Sequence, residues 1–235
     1  MKVTIITTVY NRVVDLDKTM QSVLQFARPG LDYIVIDGGS TDGSVELVRA
    51  HSSRLAHWLS EPDRGVYDAM NKGWAAADPD SRVMFLGAGD LLLSLPDDPV
   101  SDEGTRAVLY GNVHLDQGRV FHARPGFRLK LYNSLHHQAL MIPKRLHPEP
   151  PFDLSYPLYA DFDFNQRLSR QGAVFRFEPG LLAYAAPDGL TRDLDLNELV
   201  RIIRKNYGPI WSSLSLLGFF MARMLPFFRV LRPIH

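Results

Sequence analysis

The stretch Asp37-Gly38-Gly39-Ser40-Thr41-Asp42-Gly43 stands directly after a short apolar run, Tyr33–Ile36. The apolar run predicts a buried strand, and the Asp, Gly and Ser residues that follow it predict a turn. Ser40 is placed to cap a helix over residues 45–48. A strand, a polar turn and a helix in this order predict one unit of an α/β fold.

The same order of elements recurs on both sides of this stretch. Upstream, Lys2–Val9 predicts a buried strand and Asp15–Phe26 predicts a helix, because its apolar residues fall at helical spacing. Downstream, strands are predicted at Leu55–Leu59 and Val83–Leu86, with a helix at Tyr67–Ala77 between them. This alternation predicts a mostly parallel sheet with helices on both faces.

The second half of the chain is less regular. Residues 96–99 predict a surface loop. The other predicted elements are a hairpin of Ala107–Leu115 and Arg119–Ala123, strands at Ala139–Ile142 and Val174–Phe177, and helices at Tyr159–Arg170 and Leu194–Lys205. No linker separates two domains, so residues 1–207 are predicted to form one domain and residues 208–235 a helical tail.

Composition excludes several classes of protein. The chain has 235 residues, of which 46% are hydrophobic and 22% are charged, which is typical of a folded protein and not of a disordered one. It contains no cysteine, which excludes disulfides, cysteine zinc sites and thiol catalysis. The N-terminal residues lack the pattern of a secretory signal peptide, so we expect a cytoplasmic protein.

Charge is unevenly distributed along the chain. The 26 basic and 26 acidic residues cancel, yet the segment from Leu199 to His235 has basic residues and no acidic one. Its uncharged stretch, residues 210–222, is shorter than the roughly 20 residues that span a bilayer. We therefore expect a peripheral, amphipathic helix on the inner membrane surface. Its predicted apolar stripe comprises Trp211, Leu214, Leu217, Phe220, Leu225 and Phe228.

The tail has two other conceivable partners. A C-terminal helix could instead fold on the domain or on a second subunit, as in a homodimer. Nucleic acid is not expected as a partner, because the basic residues are interleaved with Leu, Phe and Met rather than clustered.

Polar clusters follow four of the predicted strands. The chain has no G-x-x-x-x-G-K-S/T and no G-x-G-x-x-G after its first strand, so a P-loop and a dinucleotide site are unsupported. Because ligands of parallel sheets bind at the carboxyl ends of the strands, we expect the clusters to meet in one site. They are Thr7-Thr8-Val9-Tyr10-Asn11, residues 37–43, Glu61-Pro62-Asp63-Arg64-Gly65 and Gly87-Ala88-Gly89-Asp90.

These clusters resemble the family 2 glycosyltransferases, which are inverting enzymes of the GT-A fold. The resemblance extends over Ser60–Gly73, Phe85–Asp90, His136-His137-Gln138 and Ala160–Phe164, and covers roughly residues 1–185. It is closest to small enzymes of bacterial exopolysaccharide and lipopolysaccharide assembly. It implies transfer of a sugar from a nucleotide diphosphate donor, usually a UDP-sugar, to a hydroxyl of a glycan or lipid-linked acceptor.

The resemblance implies a donor site at the first three clusters. Asp37 would bind the base, and Tyr10 and Asn11 would line the same pocket. The segment with Asp63 and Arg64 would close over base and diphosphate, where a guanidinium can hold phosphate oxygens by a forked contact. The donor residues that it implies are Thr8, Tyr10, Asn11, Asp37, Asp63, Arg64 and Asn71.

The resemblance also implies the groups that perform the reaction. Asp161 would be the general base, which removes the proton of the acceptor hydroxyl as that oxygen attacks the anomeric carbon. His137 would contact the diphosphate or the acceptor. Asp163 would support this site or serve a structural role.

A metal ion is implied by Asp90, which matches the last acid of the family's metal-binding D-x-D region. Mg²⁺ or Mn²⁺ would neutralise charge on the leaving diphosphate. The sequence departs from the family at Gly87 and Gly89, which replace polar or acidic residues. A catalytically degenerate protein that binds nucleotide sugar therefore stays an alternative. Another nucleotide-cofactor enzyme is a further alternative, against which the missing glycine fingerprints argue.

Overall fold

A computed structural model describes residues 2–96, 107–147, 150–187 and 195–224. The strands are β1 (Val3–Val9), β2 (Leu31–Asp37), β3 (His57–Ser60), β4 (Arg82–Gly87), β5 (Leu91–Ser94), β6 (Val108–His114), β7 (Val120–His122), β8 (Leu140–Pro143) and β9 (Phe175–Tyr184). The α-helices are α1 (Val13–Leu24), α2 (Ser44–Ala50), α3 (Val66–Ala76), α4 (Ala160–Arg170), α5 (Leu196–Tyr207) and α6 (Pro209–Met224).

Four parallel strands form the first half of the sheet, in the order β3, β2, β1, β4. The central strand β1 is buried along its whole length, as the apolar run predicted. Val9 at its end lies opposite Asp37, and Thr8 lies opposite Gly87. The carboxyl ends of these strands therefore lie side by side, which confirms the predicted α/β architecture.

The second half of the sheet is mixed. Strand β8 pairs antiparallel with β4, and the sheet continues through β6, β9 and β5. The predicted hairpin is present as β6 and β7. Strand β9 is longer than predicted, and β5 was not predicted at all. Because β5 is four residues that directly follow a glycine-rich turn, its sequence could not be distinguished from a loop.

Helices pack on both faces of the sheet and enclose two apolar cores. The core on one face lies under α3, α4 and α5 and is filled by large aromatic side chains that include Trp74, Phe85 and Phe164. The core on the other face lies under α1 and α2 and includes Leu16 and Met20. The helical spacing of apolar residues in the sequence predicted the buried face of α1.

Two details of the predicted elements differ in the structure. Ser40 does not cap α2, which begins after Gly43; instead the Ser40 hydroxyl accepts a hydrogen bond from the main chain of Asn11. The predicted surface loop at residues 96–99 falls almost wholly outside the described residues.

Helix α6 follows α5 after a break at Gly208, where φ is +88°. The predicted boundary between domain and tail falls on this break. Because α6 packs against α5, the helix is not detached from the preceding domain, and the division of the chain into a domain and a tail stays a prediction. In the part of the chain described here, no helix is long and apolar enough to cross a membrane. Trp211 was placed on the exposed stripe of the tail, but its ring packs against Phe127 instead. Leu225 and Phe228 lie outside the described residues.

Candidate active site

Asp37 ends β2 and is fully buried at the carboxyl edge of the sheet. Its Oδ2 atom accepts hydrogen bonds from the main-chain N–H groups of Gly39 and Ser40, both at 3.0 Å, and from the Ser60 hydroxyl at 2.7 Å. Its Oδ1 atom has no hydrogen-bond partner among the described residues. A buried carboxylate oxygen without a donor is costly, so a ligand N–H or O–H that reached this atom would satisfy it.

The turn after β1 is hydrogen-bonded to the turn after β2. The main-chain N–H of Asn11 donates to Ser40 at 2.7 Å, and the side-chain oxygen of Asn11 accepts from the N–H of Thr41 at 2.8 Å. Asn11 has a φ of +50°, a region that Asn tolerates better than most residues. Tyr10 precedes it and is 61% exposed. The structure thus brings both residues to the Asp37 edge and leaves the Tyr10 ring open to a ligand.

Thr8 lies at the same edge but on the opposite face of the sheet. It pairs with Ile36, the residue before Asp37, and consecutive side chains of a strand alternate between faces. The Thr8 hydroxyl is buried and has no partner among the residues that the structure describes. Its carbonyl accepts from Ala88, which ties β1 to the loop after β4. A contact between Thr8 and a nucleotide stays a prediction.

Asp63 lies against the Asp37 turn, as predicted. A Cβ atom on Gly38 would stand 2.3 Å from the Asp63 carboxylate, so only glycine permits this approach. The other carboxylate oxygen of Asp63 accepts from the N–H of Gly65 at 2.8 Å. Two carboxylates, Asp37 and Asp63, therefore border the same turn.

Arg64 and Asn71 were also predicted to bind the donor, but in the structure they contact protein groups. The Arg64 side chain is 77% exposed and pairs with Asp68 at 3.0 Å. The Asn71 amide makes two hydrogen bonds of 2.9 Å with the main chain of Phe152, one as donor and one as acceptor. Asn71 therefore holds the Phe152 loop on α3, and its amide is not directed at the Asp37 pocket.

Asp90 follows β4 in the predicted metal region. It is buried, and its carboxylate accepts from the N–H of Gly87 at 2.8 Å, from Gln138 at 3.3 Å and from the N–H of Ala186 at 2.9 Å. Burial raises the pKa of Asp90 despite these donors. No group of three or more His, Asp or Glu residues among the described ones could hold a metal. Hydrogen bonds from three protein groups already occupy this carboxylate, which makes it a poor ligand for Mg²⁺ or Mn²⁺. Asp90 instead holds the loop after β4 in place.

Asp161 lies in the first turn of α4, where four donors surround its buried carboxylate. The Tyr67 hydroxyl (3.2 Å) and the Phe162 N–H (2.7 Å) face one oxygen, and Asn133 (3.2 Å) and His137 (3.4 Å) face the other. Burial by itself raises the pKa of Asp161. The hydrogen bond and charge of His137 and the other donors outweigh it, so the pKa lies below the ordinary 3.8. The carboxylate is therefore ionised at neutral pH, as a general base must be.

The two neighbouring histidines have pKa values shifted in opposite directions, and they connect Asp161 to the Asp90 loop. Burial lowers the pKa of His137, but the hydrogen bond and charge of Asp161 and the charge of Asp90 raise it above 6.5 overall. Burial and the charge of His137 lower the pKa of His136 to about 4. His136 is 3.3 Å from Gln138, which itself contacts Asp90. His137 thus lies between two acids that favour its protonated form, and the predicted diphosphate or acceptor contact remains open to it.

Asp163 is separated from this site. It is fully buried, and it contacts Arg167 of its own helix at 2.7 Å and, on α5, Lys205 at 3.3 Å and Asn206 at 2.9 Å. Two residues apart on a helix, Asp161 and Asp163 point in different directions. A contact of Asp163 with acceptor or diphosphate is therefore not supported, and its geometry fits the structural role that the sequence left open.

Three side chains that shape the Asp161 site were not predicted. Tyr67 lies in the segment 60–73, which carries part of the family resemblance, but nothing in the neighbouring sequence indicates what its hydroxyl contacts. Asn133 lies in an irregular stretch without a motif. Glu198 accepts from the N–H groups of Leu158 and Tyr159 at 3.0 and 2.7 Å and so anchors the turn before α4. The one signal for Glu198 in the sequence is its position on the apolar face of α5, where an acidic residue is unusual.

A separate cavity of about 510 Å³ lies beside α3. Asp37, Asp90 and Asp161 do not line it. Its lining residues are Arg64, Asp68, Asn71, Pro150, Phe152, Asp153, Leu154, Arg167 and Lys205. It therefore does not coincide with the carboxylates described above.

Sequence comparison relates part of the chain to known proteins. Residues 4–93 match the model of glycosyl transferase family 2. An uncharacterized glycosyltransferase of Mycobacterium tuberculosis is 43% identical over 89 residues, which are 37% of this chain and 34% of that protein. A PGL/p-HBAD biosynthesis glycosyltransferase of Mycobacterium bovis is 29% identical over 175 residues, which are 69% of this chain and 68% of that protein. The chain thus spans about a third of the length of the first of these relatives.

Solved structures share the fold. TarS of S. aureus, residues 1–349 in complex with UDP, superposes with a TM-score of 0.64 at 16% identity, covering 92% of this chain and 66% of that one. The mannosyltransferase PcManGT of Pyrobaculum calidifontis, in complex with GDP-Man and Mn²⁺, gives 0.64 at 19% identity, covering 97% and 73%. The motif order, the sheet topology and these matches agree: residues 4–93 are similar to glycosyl transferase family 2, and the chain shares the fold of these solved structures.

Proposed function

We propose that the protein is a glycosyltransferase of the EC 2.4 class, which moves a sugar from a nucleotide diphosphate donor to an acceptor hydroxyl in bacterial glycoconjugate synthesis. The observation that carries this proposal is the Asp161 carboxylate, ionised and held by four donors, of which His137 is also near the charge of Asp90. The relatives named above support it, since they are glycosyltransferases by sequence and share the fold.

We propose a uridine nucleotide as the donor. Only one oxygen of Asp37 is free, because three protein donors occupy the other. A single acceptor matches the single imide N–H of uracil. Guanine presents two adjacent N–H donors and pairs best with both oxygens of a carboxylate. TarS has been crystallised with UDP-GlcNAc, and the mannosyltransferase with GDP-Man, so proteins of this fold bind both classes of donor. The Asp37 geometry favours the first.

In the proposed mechanism, Asp161 removes the proton of the acceptor hydroxyl while that oxygen attacks the anomeric carbon. A single displacement with one base inverts the configuration at that carbon. Asn133, Tyr67 and His137 fix the carboxylate in place, so its orientation is set before the acceptor binds. His137, with its raised pKa, places positive charge near the departing diphosphate.

A requirement for Mg²⁺ or Mn²⁺ is a separate part of the proposal. The mannosyltransferase complex with Mn²⁺ supports it. The three donors on Asp90 argue against that residue as a ligand. We therefore assign no step of the mechanism to a metal.

We propose a lipid-linked acceptor, or a glycan carried on a lipid, at the inner face of the cytoplasmic membrane. The name of the M. bovis relative refers to PGL/p-HBAD biosynthesis, although that protein shares only 29% identity. The exposed apolar residues of α6 are a second support, because they suit a protein that works at a lipid surface.

The alternative is a protein that binds nucleotide sugar and does not transfer it. The glycines at 87 and 89 and the enclosed Asp90 favour it, since they remove the acids of the family's metal region.

A donor screen decides between the two. UDP-, GDP- and dTDP-sugars are tested by calorimetry for binding and by a coupled assay for nucleotide release. We expect UDP-sugars to bind and to release UDP slowly to water. Binding without any release, with every acceptor extract tried, would support the alternative. Absence of binding to every donor would contradict both.

A further inference from the structure

Helix α6 presents an apolar face to solvent. Ile210, Leu214, Leu217, Phe220 and Met221 are between 40% and 73% exposed. They recur at spacings of three and four residues, so they lie on one face of the helix. Contiguous apolar surface of this kind marks an interaction site on a folded protein.

Residues 124–134, here called the strap, extend this face. Phe127 in the strap is 62% exposed, and its ring centroid is 5.2 Å from that of Trp211 on α6. The Ser215 hydroxyl of α6 donates to the Leu131 carbonyl at 2.6 Å. The two elements therefore form one continuous surface.

This surface is basic as well as apolar. The strap contains Arg124, Arg128 and Lys130 and no acidic residue, and the Lys130 ammonium is 4.8 Å from the Trp211 ring. No acidic residue occurs between Leu199 and the C-terminus, so all 26 acidic residues belong to the rest of the chain.

Charge complementarity decides what this surface binds. An apolar stripe bordered by cations suits a bilayer that contains anionic phospholipid. A symmetric contact with a second copy would place these cations against each other. A nucleic acid would leave the apolar stripe uncovered.

The same strap reaches the proposed base. The side-chain N–H of Asn133 donates to Asp161 at 3.2 Å, and Asn165 donates to the Asn133 oxygen at 3.3 Å, which fixes the direction of the amide. The strap is closed at its ends by hydrogen bonds between Arg124 and Ser134. A displacement of the part of the strap that faces the membrane is therefore passed to Asn133 along a short stretch of main chain.

We propose that α6 and the strap dock on an anionic phospholipid bilayer and that docking holds Asn133, a positioning residue, on the carboxylate of Asp161. Docking on the bilayer does not depend on which reaction the protein catalyses, whereas the coupling to Asp161 rests on the proposed function. In this arrangement the acceptor side of the base faces the lipid surface.

Docking is tested with the full chain and vesicles of phosphatidylcholine, with and without phosphatidylglycerol. We expect sedimentation with the anionic vesicles only, weakened by salt. Leu214→Glu and Leu217→Glu should each weaken binding by roughly tenfold or more, since each removes apolar area and adds a repelled charge. Val174→Glu is the matched control, because Val174 is equally exposed but lies before β9, and it should bind as the native chain does.

Two results would overturn docking. The first is that the full chain fails to sediment with anionic vesicles at low salt. The second is that it runs as a dimer that Leu217→Glu dissociates, which would make the surface a contact between subunits.

Coupling is tested by UDP release with and without anionic vesicles, at saturating donor. We expect vesicles to raise kcat several-fold while leaving donor affinity unchanged. Asn133→Ala should abolish this increase and keep vesicle binding. It removes a donor from Asp161 and an acceptor from Asn165, so it should also lower the free energy of unfolding, but the loss of a merely structural residue would not remove the response to vesicles. Vesicle binding with an unchanged kcat would refute the coupling alone. Absence of donor binding in calorimetry would refute the proposed function and leave docking untouched.

Discussion

The hydroxyl of Tyr67 lies 3.2 Å from Oδ1 of Asp161, although 94 residues separate the two in the chain. The same hydroxyl is 2.9 Å from the Leu158 carbonyl, so its single proton is shared between two acceptors. Tyr67 is in the first turn of α3, directly after the segment with Asp63, and Asp161 is in the first turn of α4. This contact therefore joins the half of the site that would hold the donor to the half that would activate the acceptor.

Asp161→Asn should retain donor affinity and lose at least about 10²-fold in transfer rate, because the amide cannot take a proton. Asp163→Asn should act differently. It should lower the free energy of unfolding by roughly 1–3 kcal/mol through its buried partners on α4 and α5, and change the rate little. Single-turnover kinetics, calorimetry and thermal unfolding measure the three quantities. A catalytic loss in the Asp163 variant with an active Asp161 variant would reverse the assignment.

Asp37→Asn is a sharper test of the donor pocket than Asp37→Ala. The three donors on Oδ2 should hold the amide oxygen, which leaves the amide N–H₂ at the free position and replaces an acceptor by a donor. UDP should then bind more weakly by roughly 1–3 kcal/mol. Cytidine diphosphate has a ring acceptor in place of the imide N–H and should lose less. Calorimetry with both nucleotides checks this, and unchanged UDP affinity would remove Asp37 from the pocket.

The sequence predicted the parallel half of the fold well and the network around Asp161 only in part. Strand ends such as Asp37 and Asp90 could be located because apolar runs stop abruptly in polar turns. The direction in which a side chain points could not be predicted. Asn71 and Asp163 have the residue types that the family resemblance requires. Their directions are set by hydrogen bonds to Phe152 and Asn206, which are distant in sequence. Asn133 was missed because one amide in an irregular stretch has no periodicity or motif.

Asp90→Asn should destabilise the protein by roughly 1–3 kcal/mol, because one of its buried donors would face an N–H₂ group. We expect the same loss in Mn²⁺ and in EDTA, since the carboxylate serves its own loop. Thermal unfolding and donor calorimetry under both conditions test this. A variant as stable as the native chain that loses only the Mn²⁺-dependent part of donor affinity would identify Asp90 as a metal ligand after all.

His136 should make the protein sensitive to acid. Its pKa of about 4 in the folded state lies below the ordinary 6.5, because of burial and the neighbouring His137 charge. The unfolded chain therefore binds a proton that the folded chain does not, and this contribution to stability is present above pH 6.5 and is lost as pH falls toward 4. His136→Gln should flatten the dependence of the free energy of unfolding on pH over this range, by about 1–3 kcal/mol. Parallel curves for the two proteins would contradict the assignment.

His137 should govern the pH at which Asp161 works. Burial favours the protonated carboxyl, and the hydrogen bond and charge of His137 are the largest opposing contributions. Because a base must be ionised, kcat/KM should fall on the acid side only below pH 3.8 in the native protein. In His137→Gln the pKa of Asp161 should rise, and the acid limb should move toward neutral pH. Nucleotide release from about pH 4 to about pH 8 measures the limb. His122→Gln, an exposed histidine on β7, is the control and should leave it in place. An unmoved limb in His137→Gln, with the fold verified at each pH, would show that His137 does not set the protonation of the base.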